Sequence, residues 1–243
     1  MEIRGSRVLV TGANRGLGRA FVDVLVARGA ATVYATGRDL HALEEVFGGC
    51  AGVTTSEMDV TSDASVSAAA EACGEADIVI NNAGLVLHAP LLASSGMADA
   101  RAEMETNFWG PLRVCRAFAP RMRQRGAGAL VNILSMGALA SMPFVGSYCA
   151  SKAAALSMTQ GVRGELAGTG ILVVGVIAGP ILTDMAREHE REGRHPPEVL
   201  AHATLDAIEA GRTTVYPDPT SAGIGDQFAR DPAAVEAAFA KLR

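Results

Sequence analysis

Arg7-Val8-Leu9-Val10-Thr11-Gly12-Ala13-Asn14-Arg15-Gly16-Leu17-Gly18 runs from an apolar, β-branched stretch into three closely spaced glycines, and an amphipathic helical pattern continues from Leu17 to Arg28. A strand that feeds a helix through a glycine turn is the opening half of a βαβ unit. Glycines at 12, 16 and 18 permit a tight turn, close approach of backbone to a ligand, and close helix–strand packing. The helix start then offers unpaired N–H groups and the positive end of its dipole to a pyrophosphate. Gly12, Asn14, Arg15, Gly16, Leu17 and Gly18 are the candidate contacts. The spacing is G-x-x-x-G-x-G, not the G-x-G-x-x-G of the general dinucleotide fingerprint, and a merely structural turn is the competing reading. Its place between the first strand and the first helix favours phosphate binding.

The alternation continues along the chain. Strands are predicted at Arg7–Thr11, Thr32–Thr36, Thr54–Met58, Ile78–Asn81, Ala129–Leu134, Leu172–Ile177 and Thr214–Tyr216. Helices are predicted at Leu17–Arg28, Leu40–Phe47, Ala64–Cys73, Arg101–Gln124, Ser147–Leu166, Pro197–Glu209 and Pro232–Lys241. Several strands are apolar on consecutive positions, as strands covered on both faces must be. The fold class that follows is α/β, a Rossmann-type doubly wound, mostly parallel seven-stranded sheet with helices on both faces. No repeat or linker divides residues 1–243, which read as one domain. The long irregular stretch, around 180–196, follows a strand and ends in Pro196-Pro197, a good helix start. A long loop in that place usually covers a ligand.

Apolar residues make up 49% of the chain and charged residues 19%, the balance of a packed globular protein. A net charge of −5 argues against a nucleic-acid surface. The longest apolar run, Ile171 to Leu182, is too short to span a bilayer and is broken by glycine and proline. The first residues hold no signal-peptide core, so a soluble, cytoplasmic protein is expected. Cys50, Cys73, Cys115 and Cys149 lack metal-ligand spacing and read as free thiols. His189 and His195 read as solvated loop positions, and no metal site is predicted.

The end of the second strand selects between dinucleotides. An acid there binds the ribose 2′-OH of NAD, whereas a basic residue accommodates the 2′-phosphate of NADP. Here it reads Ala35-Thr36-Gly37-Arg38-Asp39. Arg38 and Arg15 suit a phosphate because the guanidinium fork makes paired hydrogen bonds. The competing readings are two solvated arginines, or Asp39 as the NAD acid one step late. NADP(H) is preferred over NAD(H).

Tyr148 and Lys152 stand four apart, on one face if their segment is helical. A cation held beside a phenol favours the phenolate, and a drop of three pKa units corresponds to ~4 kcal/mol. That would make Tyr148 an acid or base near neutral pH. Alone, such a pair is more often surface packing.

Thr11-Gly-x-x-x-Gly-x-Gly, Asn81-Asn82-Ala83-Gly84 and Tyr148-x-x-x-Lys152 together resemble the short-chain dehydrogenase/reductase family, from roughly Val8 to Thr183. The resemblance implies that Asn82, Ala83 and Gly84 lie at the adenine ribose and that Asp59 and Val60 meet the adenine edge. From the residues alone, Asp59 could equally cap the following helix, and an Asn-Asn turn needs no ligand. Asn107 matches the family's active-site asparagine, which holds a water linking the lysine to solvent; in mid-helix it is otherwise a mild propensity cost. Ser135, thirteen residues before Tyr148, matches the catalytic serine.

What the resemblance implies is hydride transfer between nicotinamide and a small-molecule carbonyl or alcohol. Tyr148 gives a proton to the developing alkoxide, and Ser135 bonds the same oxygen. Lys152 lowers the phenol's pKa and binds the nicotinamide ribose, while Asn107 completes the proton path. Thr183 aligns with the residue that bonds the nicotinamide carboxamide, Gly179 and Ile181 are further cofactor contacts, and a homotetramer or homodimer is implied. Two departures stand out: Ala178-Gly179-Pro180 where Pro-Gly is common, and Val215-Tyr216-Pro217-Asp218-Pro219 where many members have a glycine-rich tail. The substrate pocket is expected from Leu85–His88, Met136–Val145 and the loop Asp184–His195, with Met136, Leu139, Met142, Phe144 and Met185 as an adaptable apolar lining. The short loop suits a small or medium carbonyl better than one carried on a large acyl carrier. A catalytically silent dinucleotide sensor is the alternative from another class, and an epimerase or dehydratase the third reading.

Overall fold

Strand β1 (Arg7–Thr11) pairs in parallel with β2 (Thr32–Gly37) on one side and β4 (Ile78–Asn81) on the other, so the chain reverses its direction of winding at β1. The computed structural model describes residues 1–92, 97–182 and 194–242. The remaining strands are β3 (Val53–Glu57), β5 (Gly128–Ser135), β6 (Ile171–Ala178) and β7 (Thr214–Val215). They order β3-β2-β1-β4-β5-β6-β7, and every described ladder is parallel. This is the doubly wound, Rossmann-type sheet that the sequence predicts.

Side chains alternate across each strand, and the alternation builds two cores. Val8, Val10, Ile78, Ile80 and Val131 face one layer. There they meet α1 (Gly16–Ala27), α2 (Leu40–Phe47) and α7 (Pro197–Glu209). Leu9, Val79, Leu130 and Val173 face the other, against α3 (Asp63–Ala72) and α5 (Gly110–Arg125) through Val66, Phe118 and Met122. Two covered faces explain why these strands read as unbroken apolar runs.

Three elements differ from expectation. The helix predicted over Arg101–Gln124 is α4 (Ala98–Met104), a π-helical turn (Glu105–Trp109), then α5. The last strand ends at Val215, not Tyr216. An unforeseen helix, α8 (Pro219–Arg230), precedes α9 (Pro232–Phe239). Asp218 caps α8 with Pro219 in its first turn, and Ser221 returns the bond as a capping box. Helices α8 and α9 bring Ile224, Phe228, Val235 and Phe239 against the start of α6 (Gly146–Glu165), the helix that carries Tyr148. Among the described residues no helix is long and apolar enough to cross a membrane, and no cluster of metal-ligating side chains occurs.

Candidate active site

A cleft of about 590 Å³ opens at the C-terminal ends of the strands, where the winding reverses. Ligands of open α/β sheets bind at this point. The glycine turn forms one wall. Gly12 has φ 64°, a conformation that costs glycine little. A Cβ on Gly18 would stand 2.1 Å from the Gly12 carbonyl oxygen, so the turn closes only without one. Helix α1 begins with no side-chain cap and no acid in its first turn, whereas Asp39, Ser62, Asp218 and Asp231 cap α2, α3, α8 and α9. Its first N–H groups are left for an anion.

Gly12, Asn14, Arg15, Gly16, Leu17, Gly18, Arg38, Asp59, Val60, Asn82, Ala83, Gly84, Gly179 and Ile181 all line this cleft, as do Ser135, Tyr148 and Lys152. Thr183 and Met185 lie outside the described residues. The Asn82 amide donates to the carbonyls of Thr11 (2.9 Å) and Gly12 (3.1 Å), tying β4 to the phosphate turn. The Thr11 hydroxyl accepts the N–H groups of Asn82 and Ala83 in return, a role the sequence did not disclose. Asp59 does not cap α3, since Ser62 does; its carboxylate takes the N–H and hydroxyl of Thr61.

Ser135 ends β5 opposite Ala178, its Oγ accepts the Gly137 N–H at 3.1 Å, and it lines the cleft together with Tyr148. Lys152, one turn further along α6, is buried and donates from Nζ to the Ile133 carbonyl at 2.9 Å. Asn107 is also buried, inside the π-helical turn. Its amide bonds the Leu85 carbonyl (2.7 Å) and Ser151 Oγ (2.9 Å), and its oxygen accepts the Leu85 N–H (2.8 Å). A side chain in a π turn gains partners across the fold, which answers the propensity cost of a mid-helix asparagine. A Cβ on Gly84 would stand 3.4 Å from Asn107 Oδ1 and 3.6 Å from Lys152 Nζ, so this glycine lies between the two.

The shift on the Tyr148 phenol runs opposite to the one expected beside Lys152. Burial pushes the phenol up to about 12, a hydrogen bond from Ser135 opposes it, and Cys149 and Glu103 add to the rise. Burial also pushes the lysine down to about 8. Its Nζ lies 5.8 Å from the centre of the phenol ring and spends a hydrogen bond on Ile133, so desolvation outweighs the cation. A phenol that keeps its proton at neutral pH is a proton donor, the form that reduction of a carbonyl requires. Because the folded chain releases the Lys152 proton more readily than the unfolded one, this group makes stability rise with pH between about 8 and 10.5. NMR of lysine-labelled protein should give a signal that titrates near pH 8 and is lost in Lys152→Met. A Lys152 signal that titrates only above pH 10 would contradict this.

The substrate end departs further. Leu85, Val86 and His88 line the cleft, as expected. Met136, Met142 and Phe144 instead pack with Val235 and Phe239 of α9, and Leu139 packs with Leu134 and Ile177. Of these, Met142 is buried, while Met136, Leu139 and Phe144 are half-buried. Sequence reading also missed Glu103, buried in α4. It accepts the Leu87 N–H at 2.7 Å and the Ser147 hydroxyl, joining the loop around His88 to the first turn of α6. An acid among the apolar positions of α4 was the available signal.

A glycine-walled cleft at the reversal point of a parallel sheet, with a serine, tyrosine and lysine at its floor, defines a dinucleotide-dependent oxidoreductase. The chain belongs to the short chain dehydrogenase family, which matches residues 6–193. It is similar to a short chain dehydrogenase of Burkholderia cenocepacia solved with NADP, at 38% identity, TM-score 0.92, and coverage of 98% of this chain and 99% of that one. A family member from Burkholderia phymatum, solved with NAD, is 25% identical with TM-score 0.86, covering 96% of each chain. A 3-oxoacyl-acyl-carrier-protein reductase of Vibrio harveyi is 32% identical over 217 residues, 87% of this chain and 85% of that protein.

Proposed function

We propose that this protein is an NADP(H)-preferring carbonyl reductase or secondary-alcohol dehydrogenase acting on a small or medium substrate. The observation that carries the chemistry is the convergence of Ser135, Tyr148 and Lys152, the lysine one helical turn beyond the tyrosine, in the cleft walled by the glycine turn. A nicotinamide dinucleotide bound there supplies the hydride. Tyr148 holds the proton that the carbonyl oxygen takes up, and Ser135 donates a hydrogen bond to the same oxygen and fixes its position. Lys152 is assigned the nicotinamide ribose, and Asn107, held by the Leu85 backbone and Ser151, lies across Gly84 from its ammonium group.

Cofactor preference rests on the two arginines. Arg15 and Arg38 line the cleft, and neither makes an ion pair among the described residues, whereas Arg7, Arg28 and Arg113 are all paired. The rival acid, Asp39, is engaged as the cap of α2, accepting the Ala42 N–H at 3.0 Å. Two free guanidinium groups beside an occupied carboxylate suit a 2′-phosphate. The relative solved with NADP supports this choice, and the relative solved with NAD makes it worth testing. A homodimer or homotetramer is part of the proposal, supported by the exposed Trp109 and an apolar groove between α5 and α6 lined by Leu112, Met158 and Val162. Initial rates with NADPH and NADH should be measured on ketones, aldehydes and a 3-oxoacyl thioester. The expected result is faster reduction of the free carbonyls, with NADPH. A preference for the thioester would displace the small-substrate reading.

A further inference from the structure

The two departures from the family's pattern meet in space. Ala178 keeps the backbone N–H that proline lacks, and β6 stays in register with β5 as far as the pair Ser135 and Ala178. Just beyond that pair, the Gly179 N–H donates to Asp218 Oδ2 at 2.9 Å. The Asp218 side chain is fully buried. Its other oxygen takes the Ser221 N–H at 2.8 Å as the cap of α8. Capping alone needs one side-chain oxygen, which serine supplies as well as aspartate. The second oxygen accepts the Ser221 hydroxyl at 2.8 Å as well as the N–H of Gly179, which lines the cleft. A Cβ on Gly179 would stand 2.6 Å from Asp218 Oδ1, so the glycine and the acid require each other.

His195 closes the arrangement. Contrary to its reading as a solvated loop residue, its Nε2 lies 3.1 Å from Thr220 Oγ1 and 3.5 Å from Asp218 Oδ1. Its backbone bonds on both sides of Ile181, the N–H to the Pro180 carbonyl and the carbonyl to the Leu182 N–H, each at 3.0 Å. The segment Gly179–Leu182, of which Gly179 and Ile181 line the cleft, is therefore held along its length by the first turn of α8 and by His195.

We propose that Asp218 and His195 are positioning residues that set the wall of the cleft at its nicotinamide end, so that helix α8 governs hydride-transfer geometry from outside the site. This rests on the dinucleotide reading proposed above, with the nicotinamide half lying beside Ser135 and Tyr148 and hence beside Gly179 and Ile181. Asp218→Asn keeps the shape but has one acceptor oxygen, so either Gly179 or Ser221 loses its partner. His195→Phe removes the imidazole bonds and leaves the cap of α8 intact. Binding of NADPH and of 2′,5′-ADP, which occupies only the adenine half, should be measured by calorimetry beside kcat. In both variants NADPH affinity and kcat are expected to fall, by roughly tenfold in Asp218→Asn, while 2′,5′-ADP binding stays within about twofold. Unchanged NADPH affinity and kcat in both variants, or equal losses for NADPH and 2′,5′-ADP in both, would overturn the proposal. If Asp218→Asn does not fold, His195→Phe decides by the same criteria. If wild type binds 5′-AMP in preference to 2′,5′-ADP, the NADP reading fails separately, and the same comparison is made with NADH and 5′-AMP.

Discussion

Tyr148→Phe is expected to lower kcat for carbonyl reduction by about 10²–10⁴-fold, or roughly 3–5 kcal/mol, with NADPH binding unchanged within about twofold. The substitution removes only the hydroxyl, the proposed proton donor, which shares the cleft with Ser135. The ring that packs beside Met136 and Phe144 remains, so the start of α6 keeps its support. Because burial holds the phenol up to about 12, the wild-type reduction should be insensitive to ionisation of Tyr148 across neutral pH. The reverse oxidation needs the deprotonated group as acceptor, and its rate should climb towards alkaline pH. Stopped-flow absorbance of NADPH with wild type and Tyr148→Phe checks the loss. Equal single-turnover rates for wild type and Tyr148→Phe would remove Tyr148 from the chemistry.

The double substitution Arg15→Ala with Arg38→Ala should raise the KM for NADPH by roughly 10²-fold, about 1.4 kcal/mol for each arginine, and leave that for NADH nearly unaltered. Both guanidinium groups are exposed, so the size of the effect should shrink as salt is added. Steady-state KM values for the two cofactors at low and high ionic strength read it directly. Parallel loss with NADPH and NADH would mean that the arginines support the turn rather than select the phosphate.

The features legible in the sequence are those whose physics is local. A strand covered on both faces must be apolar throughout, so Val8-Leu9-Val10 and Ile78-Val79-Ile80 announced themselves. The glycine turn was readable because Gly12 and Gly18 answer demands made within a few residues of themselves. Tyr148, Lys152 and Ser135 were found as an ordered set, and the fold brings all three to one cleft. What escaped was non-local. The direction of the Tyr148 shift depends on how deeply α6 is buried, which no spacing encodes. Met136, Met142 and Phe144 have the composition of a pocket wall, but α9 occupies the space beside them. The π-helical turn at Asn107 has the same apolar periodicity as an ordinary helix, and only its tertiary bonds to Leu85 and Ser151 reveal it. Helix α8 was signalled by Asp218-Pro219 with Ser221 three residues after the cap, a start signal that two prolines made look like loop.

The central claim is that Ser135, Tyr148 and Lys152 serve hydride transfer to a carbonyl carbon, and isotope transfer tests it most directly. Protein supplied with NADPH carrying deuterium at the nicotinamide C4, on one face at a time, should be incubated with the ketone that gives the fastest turnover. The account predicts an alcohol with one deuterium on the carbinol carbon, from one face only, and the same product formed at least about 10²-fold more slowly by Tyr148→Phe. Tight NADPH binding with no deuterium in any product across the ketones and aldehydes would contradict it and leave a dinucleotide sensor.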